Sequence, residues 1–542
     1  MIKYVSVDEM VAIEKEADAS GLTYPLMMEN AGRGVAQEVH ASYSHFRGEG
    51  VLGLVGSGNN GGDTLVALAL LAELGWQANA YIVRPRPEDD PLMAHLREVG
   101  GSIDVGEHDR DFQRLADLLH AHPVVLDGVL GTGVRLPLKK EVAKALDAVR
   151  RIVADMKDIH IVAVDCPSGV DCDTGEAASE CIPAELTVSM AAAKRGLLKF
   201  PAYSLVGELR FVGIGLGEGR SYPKTWDKIS RFVVDRSWVG DVLPDRPLDA
   251  HKGTFGTVLV VAGSFNYTGA ALLAGQAAYR SGAGLVTLAV VQPLHAALAG
   301  QFPEATWLLL PEEEGAIAEH AAEVVRGNLE RVTGLLVGPG FGLQETTRKF
   351  IARLLVGSAK PAKGTIGFVT ASPKTPQGDV AGLPPLVFDA DGLKLLSRLP
   401  EWPSQLPSMT VLTPHPGEMS VLTGLDTQEI QANRVEIAEK YAKTWGHVLV
   451  LKGAFSVVAA PDGKTAIIPV ASPALARAGT GDVLAGLIVG LRAQGIDAFS
   501  AAAAGAWIHA QAGLKAARVL GSTASVLAGD VLGAVPEIMA EV

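Results

Sequence analysis

The chain has 542 residues, 48% hydrophobic and 20% charged, enough for two to four domains with sizeable cores, which excludes a disordered or fibrous protein. With 47 Lys and Arg against 60 Asp and Glu the net charge is −13, so general nucleic-acid binding is excluded, although helix N-termini can still hold small anions. Cys166, Cys172 and Cys181 are too few for a disulfide framework and lack paired zinc spacing.

The opening run MIKYVSVDEMVAIEKE has no apolar signal core, and no apolar run reaches membrane-spanning length. His509, Gln511 and Lys515 interrupt the Ala-rich stretch 498–517, which reads as a packed helix. A soluble, reduced, cytoplasmic protein is expected, with no nucleic-acid or membrane partner. Along the chain, short β-branched runs alternate with Gly-rich turns and Ala/Leu-rich helical stretches. Strands are predicted at 51–55, 78–83, 124–127 and 161–165, then at 257–262, 335–337, 410–413 and 448–451. Apolar strands leading through glycine into helices predict parallel sheets covered on both faces. Prolines and aromatics over 217–250 suggest a connector, and the Gly/Pro/Lys-rich stretch 357–385 a surface insertion.

Gly56-Ser57-Gly58-Asn59-Asn60-Gly61-Gly62-Asp63 follows the first of these strands and is expected to open a helix over 64–74. It satisfies GxGxxG formally, but the next strand ends at Arg84 rather than at a ribose-holding acid, and Asn59, Asn60 and Asp63 crowd the tip. The strand 124–127 runs into Gly128-Val129-Leu130-Gly131-Thr132-Gly133, and 161–165 runs into Cys166-Pro167-Ser168-Gly169-Val170-Asp171. In a parallel sheet these ends share one edge, gathering Asn60, Asp127, Asp165 and Ser168. Their oxygens suit a hard cation; either aspartate alone would serve equally as a turn cap.

In this order Met28-Glu29-Asn30-Ala31-Gly32-Arg33, GSGNNGGD, LDGVLGTG and VDCPSGVDCDTG resemble the epimerase domain of the NAD(P)H-hydrate repair enzymes, over about residues 1–217. The resemblance implies interconversion of the R and S forms of NADHX and NADPHX, with bound potassium. It assigns Asn60, Asp127 and Ser168 to potassium. Asn59, Asn60, Gly61, Gly62, Asp63, Gly131, Thr132, Gly133, Val134, Arg135, Leu136, Pro137 and Asp165 fall to the hydrate. Thr64 stands where the family usually has glycine. Asp165 is the candidate acid–base group beside C6 of the hydrate, because potassium would occupy Asp127.

In the second half, Ala478-Gly479-Thr480-Gly481-Asp482 enters an apolar helix, so that amides and helix dipole face an anion beside a carboxylate able to take a hydroxyl proton. No GxxxxGK[ST] occurs. Read in order, KGTFG (from Lys252), AGSFNYTGA (to Ala270), VGPGFG (to Gly342), Asp389-Ala390-Asp391, TPHPGEM (around His415), LKGA (from Leu451) and GTGDVLAGLI resemble the ADP-dependent NAD(P)H-hydrate dehydratases, which have a ribokinase-like fold. The resemblance assigns Ala270, Gly340 or Gly342, His415 and Asp482 to the hydrate. Lys452, Gly453, Ala454, Phe455, Ser456, Gly479, Thr480 and Gly481 fall to ADP. The run Ser472-Pro473-Ala474-Leu475-Ala476-Arg477 departs from the family's Gly/Met-rich pattern.

The resemblance implies that ADP phosphorylates the C6 hydroxyl of the S hydrate, giving AMP, and that phosphate then leaves with a C5 proton; magnesium is expected with the nucleotide. Two tandem three-layer α/β domains follow: a Rossmann-like epimerase domain over 1–220, a connector over 221–244 and a ribokinase-like dehydratase domain over 245–542. A homo-oligomer is expected. The alternatives are a ribokinase-class small-molecule kinase with a fused partner, and a nucleotide-binding regulator without catalysis.

Overall fold

In the first half of the chain, seven strands form one parallel sheet: β1 (Val51–Val55), β2 (Ala78–Ile82), β3 (Ser102–Val105), β4 (Val124–Gly128), β5 (His160–Val164), β6 (Leu186–Met190) and β7 (Glu208–Val212). Their order is β3-β2-β1-β4-β5-β6-β7, with every neighbouring pair parallel. The strand period of two sorts the side chains. Val51, Val55, Leu126 and Val164 pack under helices α1 (Val7–Ala19), α2 (Tyr24–Tyr43) and α3 (Asn59–Glu73). Leu52, Leu54, Val125 and Ile161 pack on the other face against α4 (Gln113–Ala121) and α5 (Lys140–Ala154), whose Val142, Leu146 and Val149 form one helical stripe. The three layers expected from the sequence are present here.

A second parallel sheet is built from β8 (Thr257–Val261), β9 (Leu285–Val291), β10 (Thr306–Leu310), β11 (Gly334–Val337), β12 (Leu386–Phe388), β13 (Val411–Leu412) and β14 (Val448–Leu451), extended by antiparallel β15 (Val457–Ala459) and β16 (Thr465–Ile467). The order is β10-β9-β8-β11-β12-β13-β14-β15-β16. Each residue of Val258, Leu259, Val260 and Val261 is buried, so both faces of this sheet are covered. Helix α6 (Gly269–Arg280) packs on α7 (Thr480–Ala493), where a Cβ on Gly486 would come within 2.2 Å of the Ala274 carbonyl oxygen. Only glycine lets these two helices approach so closely.

The computed structural model describes residues 1–217, 223–356 and 382–542, in two units, Ile2–Phe232 and Val233–Val542. Most of the expected insertion, 357–381, lies outside the described residues. The expected connector is not wholly irregular: it holds short helices at Lys224–Lys228 and Arg236–Val242. Among the described residues no helix is long and apolar enough to cross a membrane.

Candidate active sites

The glycine loop closes earlier than its sequence suggests. Helix α3 begins at Asn59, not at residue 64, so Asn59 through Asp63 form its first turn and not a loop tip. Glycine inside a helix costs roughly 0.5–1 kcal/mol relative to alanine, so two in succession are unfavourable by propensity. Packing requires at least Gly61, because a Cβ there would lie 2.1 Å from the Gly56 carbonyl oxygen. The turn points Asn59, Asn60 and Asp63 into a cavity of about 380 Å³ at the carboxyl ends of β1, β4 and β5.

Gly131, Thr132, Gly133, Val134 and Asp165 line the same cavity. Gly61, Gly62, Arg135, Leu136 and Pro137 are not among its lining residues; Gly61 and Gly62 back the turn instead. Beside the cavity, Asp127 Oδ2 accepts the Ser168 amide at 2.8 Å, while Asn60 Nδ2 donates to the Leu130 carbonyl at 2.9 Å. Ser168 Oγ accepts the Leu130 amide at 2.8 Å. The remaining oxygens, Asn60 Oδ1 and Asp127 Oδ1, are buried without a partner. Two orphaned hard oxygens beside a hydroxyl fit a hard cation with one compensating charge. Burial pushes the Asp127 carboxyl above its ordinary range.

Asp165 follows β5 directly, with a backbone φ of +64°, and is buried. Its Oδ1 accepts from Lys194 Nζ, from the Met190 amide at 3.0 Å and from Ser189 Oγ at 3.4 Å. Lys194 is itself buried, and its ammonium also donates to the Met190 carbonyl at 2.8 Å. Two further carboxyls line the cavity, Glu14 from α1 and Asp63 from α3. Burial raises Asp63 well above the carboxylate range, reinforced by Asp165 and Glu14. Burial also raises Glu14, against the pull of Lys194.

The second site gathers around the N-terminus of α7. Asp482 lies in its first turn, and its carboxyl is pushed up to about 7, first by burial and then by Asp389. Lys452, just after β14, donates to Asp389 Oδ1 at 2.7 Å and lies 3.6 Å from Glu418 Oε2. Burial alone would lower this ammonium, but Asp389 and Glu418 hold it above its ordinary value. Gly481 is part of the same cluster: a Cβ there would sit 3.5 Å from Lys452 Nζ.

His415 caps the helix Pro416–Thr423, Nδ1 accepting the Gly417 and Glu418 amides at 3.0 and 3.3 Å. Burial lowers its pKa, and its Nε2 lies 3.3 Å from Glu418 Oε1. Gly340 packs on Ala270, and the Gly342 amide donates to Asp391 Oδ2 at 3.0 Å. In the expected nucleotide segment, Gly453 has φ +144°, with the Ser456 hydroxyl closing the turn onto its amide and carbonyl, and Phe455 has φ +52°. Ala454 lies between them, and Gly479 is the N-cap of α7. The Thr480 hydroxyl is spent on the Leu475 and Arg477 carbonyls, at 3.0 and 2.8 Å, so it steadies the turn.

A family model described as NAD(P)H-hydrate dehydratase matches residues 258–536, and one described as YjeF-related protein N-terminus matches 26–196. The bifunctional NAD(P)H-hydrate repair enzyme Nnr of Moorella thermoacetica is 35% identical, the alignment covering 99% of this chain and 96% of that one. The chain belongs to the bifunctional NAD(P)H-hydrate repair enzyme family. Its Escherichia coli member is 31% identical over 98% of this chain and 93% of its own. The structure of the ADP/ATP-dependent NAD(P)H-hydrate dehydratase from Bacillus subtilis, co-crystallized with ATP and Mg2+, is 29% identical and covers 57% of this chain and 97% of that one, with a TM-score of 0.46.

The geometry brings in side chains that the motifs do not point to: Glu14 and Lys194 in the first site, and the pairing of Asp389 and Glu418 with Lys452 in the second. Glu14 precedes the segment matched to the N-terminal family model. The available signal for Lys194 was a single lysine in the apolar run Met190-Ala191-Ala192-Ala193-Lys194.

Proposed function

We propose that the first site epimerises the R and S hydrates of NADH and NADPH, and that the second dehydrates the S hydrate at the expense of ADP. The observation that carries this reading is the presence in one chain of two separate carboxylate sites, centred on Asp165 and Asp482, each at the carboxyl edge of a parallel sheet.

In the first site the hydrate's ring nitrogen supplies the electron pair that expels the C6 hydroxyl. That oxygen takes a proton as it leaves and departs as water, and an iminium remains. Water returns to either face of C6, losing a proton to a base. Asp165 serves as this acid–base group through Oδ2, the oxygen that accepts no hydrogen bond from a described residue. Asn59, Asp63 and the Gly131–Val134 stretch surround the hydrate. Asn60, Asp127 and Ser168 would hold potassium, which when bound supplies a fixed positive charge beside the cavity; the orphaned oxygens of Asn60 and Asp127 support that assignment.

In the second site Asp482 takes the proton of the C6 hydroxyl as its oxygen bonds to the β-phosphorus of ADP and the bond to AMP breaks. Phosphate then leaves C6 with the electrons of the C5–H bond forming the ring double bond, and the C5 proton passes to solvent. The α7 N-terminus and Lys452 offset charge on the nucleotide. Magnesium arriving with ADP would meet Asp389, whose Oδ2 is buried without a partner; when bound it neutralises phosphate charge. The reading places the enzyme in the cytoplasm, where reduced nicotinamides are used.

The test is incubation with mixed hydrate epimers and ADP, followed at the reduced-nicotinamide absorbance band. Complete recovery of NADH from both epimers, with AMP and phosphate formed in step, is expected. Recovery of neither epimer, or a stable phosphorylated product, would contradict it.

A further inference from the structure

Among the described residues, every hydrogen bond to the Asp165 carboxylate ends on Oδ1: from Lys194 Nζ, the Met190 amide and Ser189 Oγ. Oδ2 accepts none from a described residue, and Asp165 lines the cavity. Lys194 is anchored in turn, its ammonium donating to the Met190 carbonyl at 2.8 Å and to Ser189 Oγ at 3.3 Å, with its side chain 2% exposed. A buried lysine tied at three points cannot swing away to solvent.

We propose that Lys194 is a positioning residue for epimerisation, acting through Asp165: it fixes Oδ1 so that Oδ2 alone exchanges the proton at C6. This rests on the reading that the first site epimerises the hydrate. The charge on Lys194 matters as much as its grip. Asp165 is faced by Glu14 from α1 and Asp63 from α3, with Cys166 next in its own chain and Tyr24 of α2 lining the same cavity. Arg84 is the one other cation among the lining residues. Without the ammonium, three carboxyls would share a buried site with little positive charge, and the ionised base would be disfavoured. The proton balance is unchanged: Oδ2 takes a proton from the incoming water as oxygen bonds to C6, and returns it to the departing hydroxyl in the reverse direction.

The experiment compares wild type, Lys194→Met and Lys194→Arg for epimer exchange on the full chain across pH. Lys194→Met should lower kcat by at least about tenfold with KM changed less than about twofold, and should move the acidic limb of kcat/KM up by about 1–3 pH units, the usual influence of an adjacent opposite charge. Lys194→Arg keeps the charge but changes the point of contact, so its limb should stay at the wild-type position while kcat is intermediate. This variant carries the test if the methionine variant does not fold. A limb that stays put in Lys194→Met, a limb that moves in Lys194→Arg, or full wild-type kcat in Lys194→Arg would each overturn the proposal. Absence of epimer exchange in the wild type would instead overturn the underlying reading.

Discussion

Lys452 Nζ lies 2.7 Å from Asp389 Oδ1, and Asp389 Oδ2 is buried with no partner of its own. Thr413 Oγ1 donates to the same Oδ1 at 2.7 Å, so one oxygen of this carboxylate is saturated and the other is open. The pair joins the end of β14 to the end of β12 beneath the first turn of α7. It thus ties together three segments that are distant in sequence.

Removing the cation from that pair is therefore costly. Lys452→Met leaves Asp389 and Glu418 buried without compensation, and breaking a buried pair in this way costs about 3–5 kcal/mol. A fall of that size in unfolding free energy, read by urea titration, is expected together with loss of ADP-dependent turnover. A stable variant with normal turnover would remove Lys452 from the site.

Asp482 gives the second site a pH signature. Its carboxyl is held at about 7, and a base works only when deprotonated. The dehydratase kcat/KM should therefore fall about tenfold per pH unit below about 7 and level off above it. Asp482→Asn should abolish ADP-dependent recovery of NADH at every pH while leaving epimer exchange intact, because the two sites belong to different units. Loss of both activities in a folded variant would contradict two independent sites.

The cation site has its own test. Asn60 and Asp127 together offer oxygen ligands with one formal charge, which suits a monovalent ion. Epimer exchange should slow when potassium is replaced by a bulky organic cation, return when potassium is restored, and ignore zinc chelators. Strict dependence on a transition metal would contradict the assignment.

Much of this architecture was readable from the chain because it depends on local pattern. Apolar runs ending in Asp127 or Asp165 and followed by glycine mark parallel strands, and their carboxyl ends must share an edge. The start of α3 was not readable: Gly61 and Gly62 argue against a helix by propensity, and only the close approach of Gly56 to Gly61 and of the Met28 side chain to Gly62 explains them. Lys194 was hidden for a different reason. Its partner Asp165 lies 29 residues earlier, and the contact exists only once β5 and β6 pair. Thr480 showed the opposite case, a residue whose motif suggests a ligand but whose hydroxyl the turn already uses.

The central claim is that one chain feeds a dehydratase with the epimer made at Asp165. Its most direct test is a single absorbance trace of Asp165→Asn acting on mixed hydrate epimers with excess ADP. The amide keeps the size and a cap-forming oxygen but removes the base, so epimerisation should fall about 10²–10⁴-fold. The trace should rise quickly to the S fraction, stop, and finish only at the rate of spontaneous epimerisation, whereas the wild type runs to completion in one phase. Rapid, complete conversion of both epimers by Asp165→Asn would contradict the account.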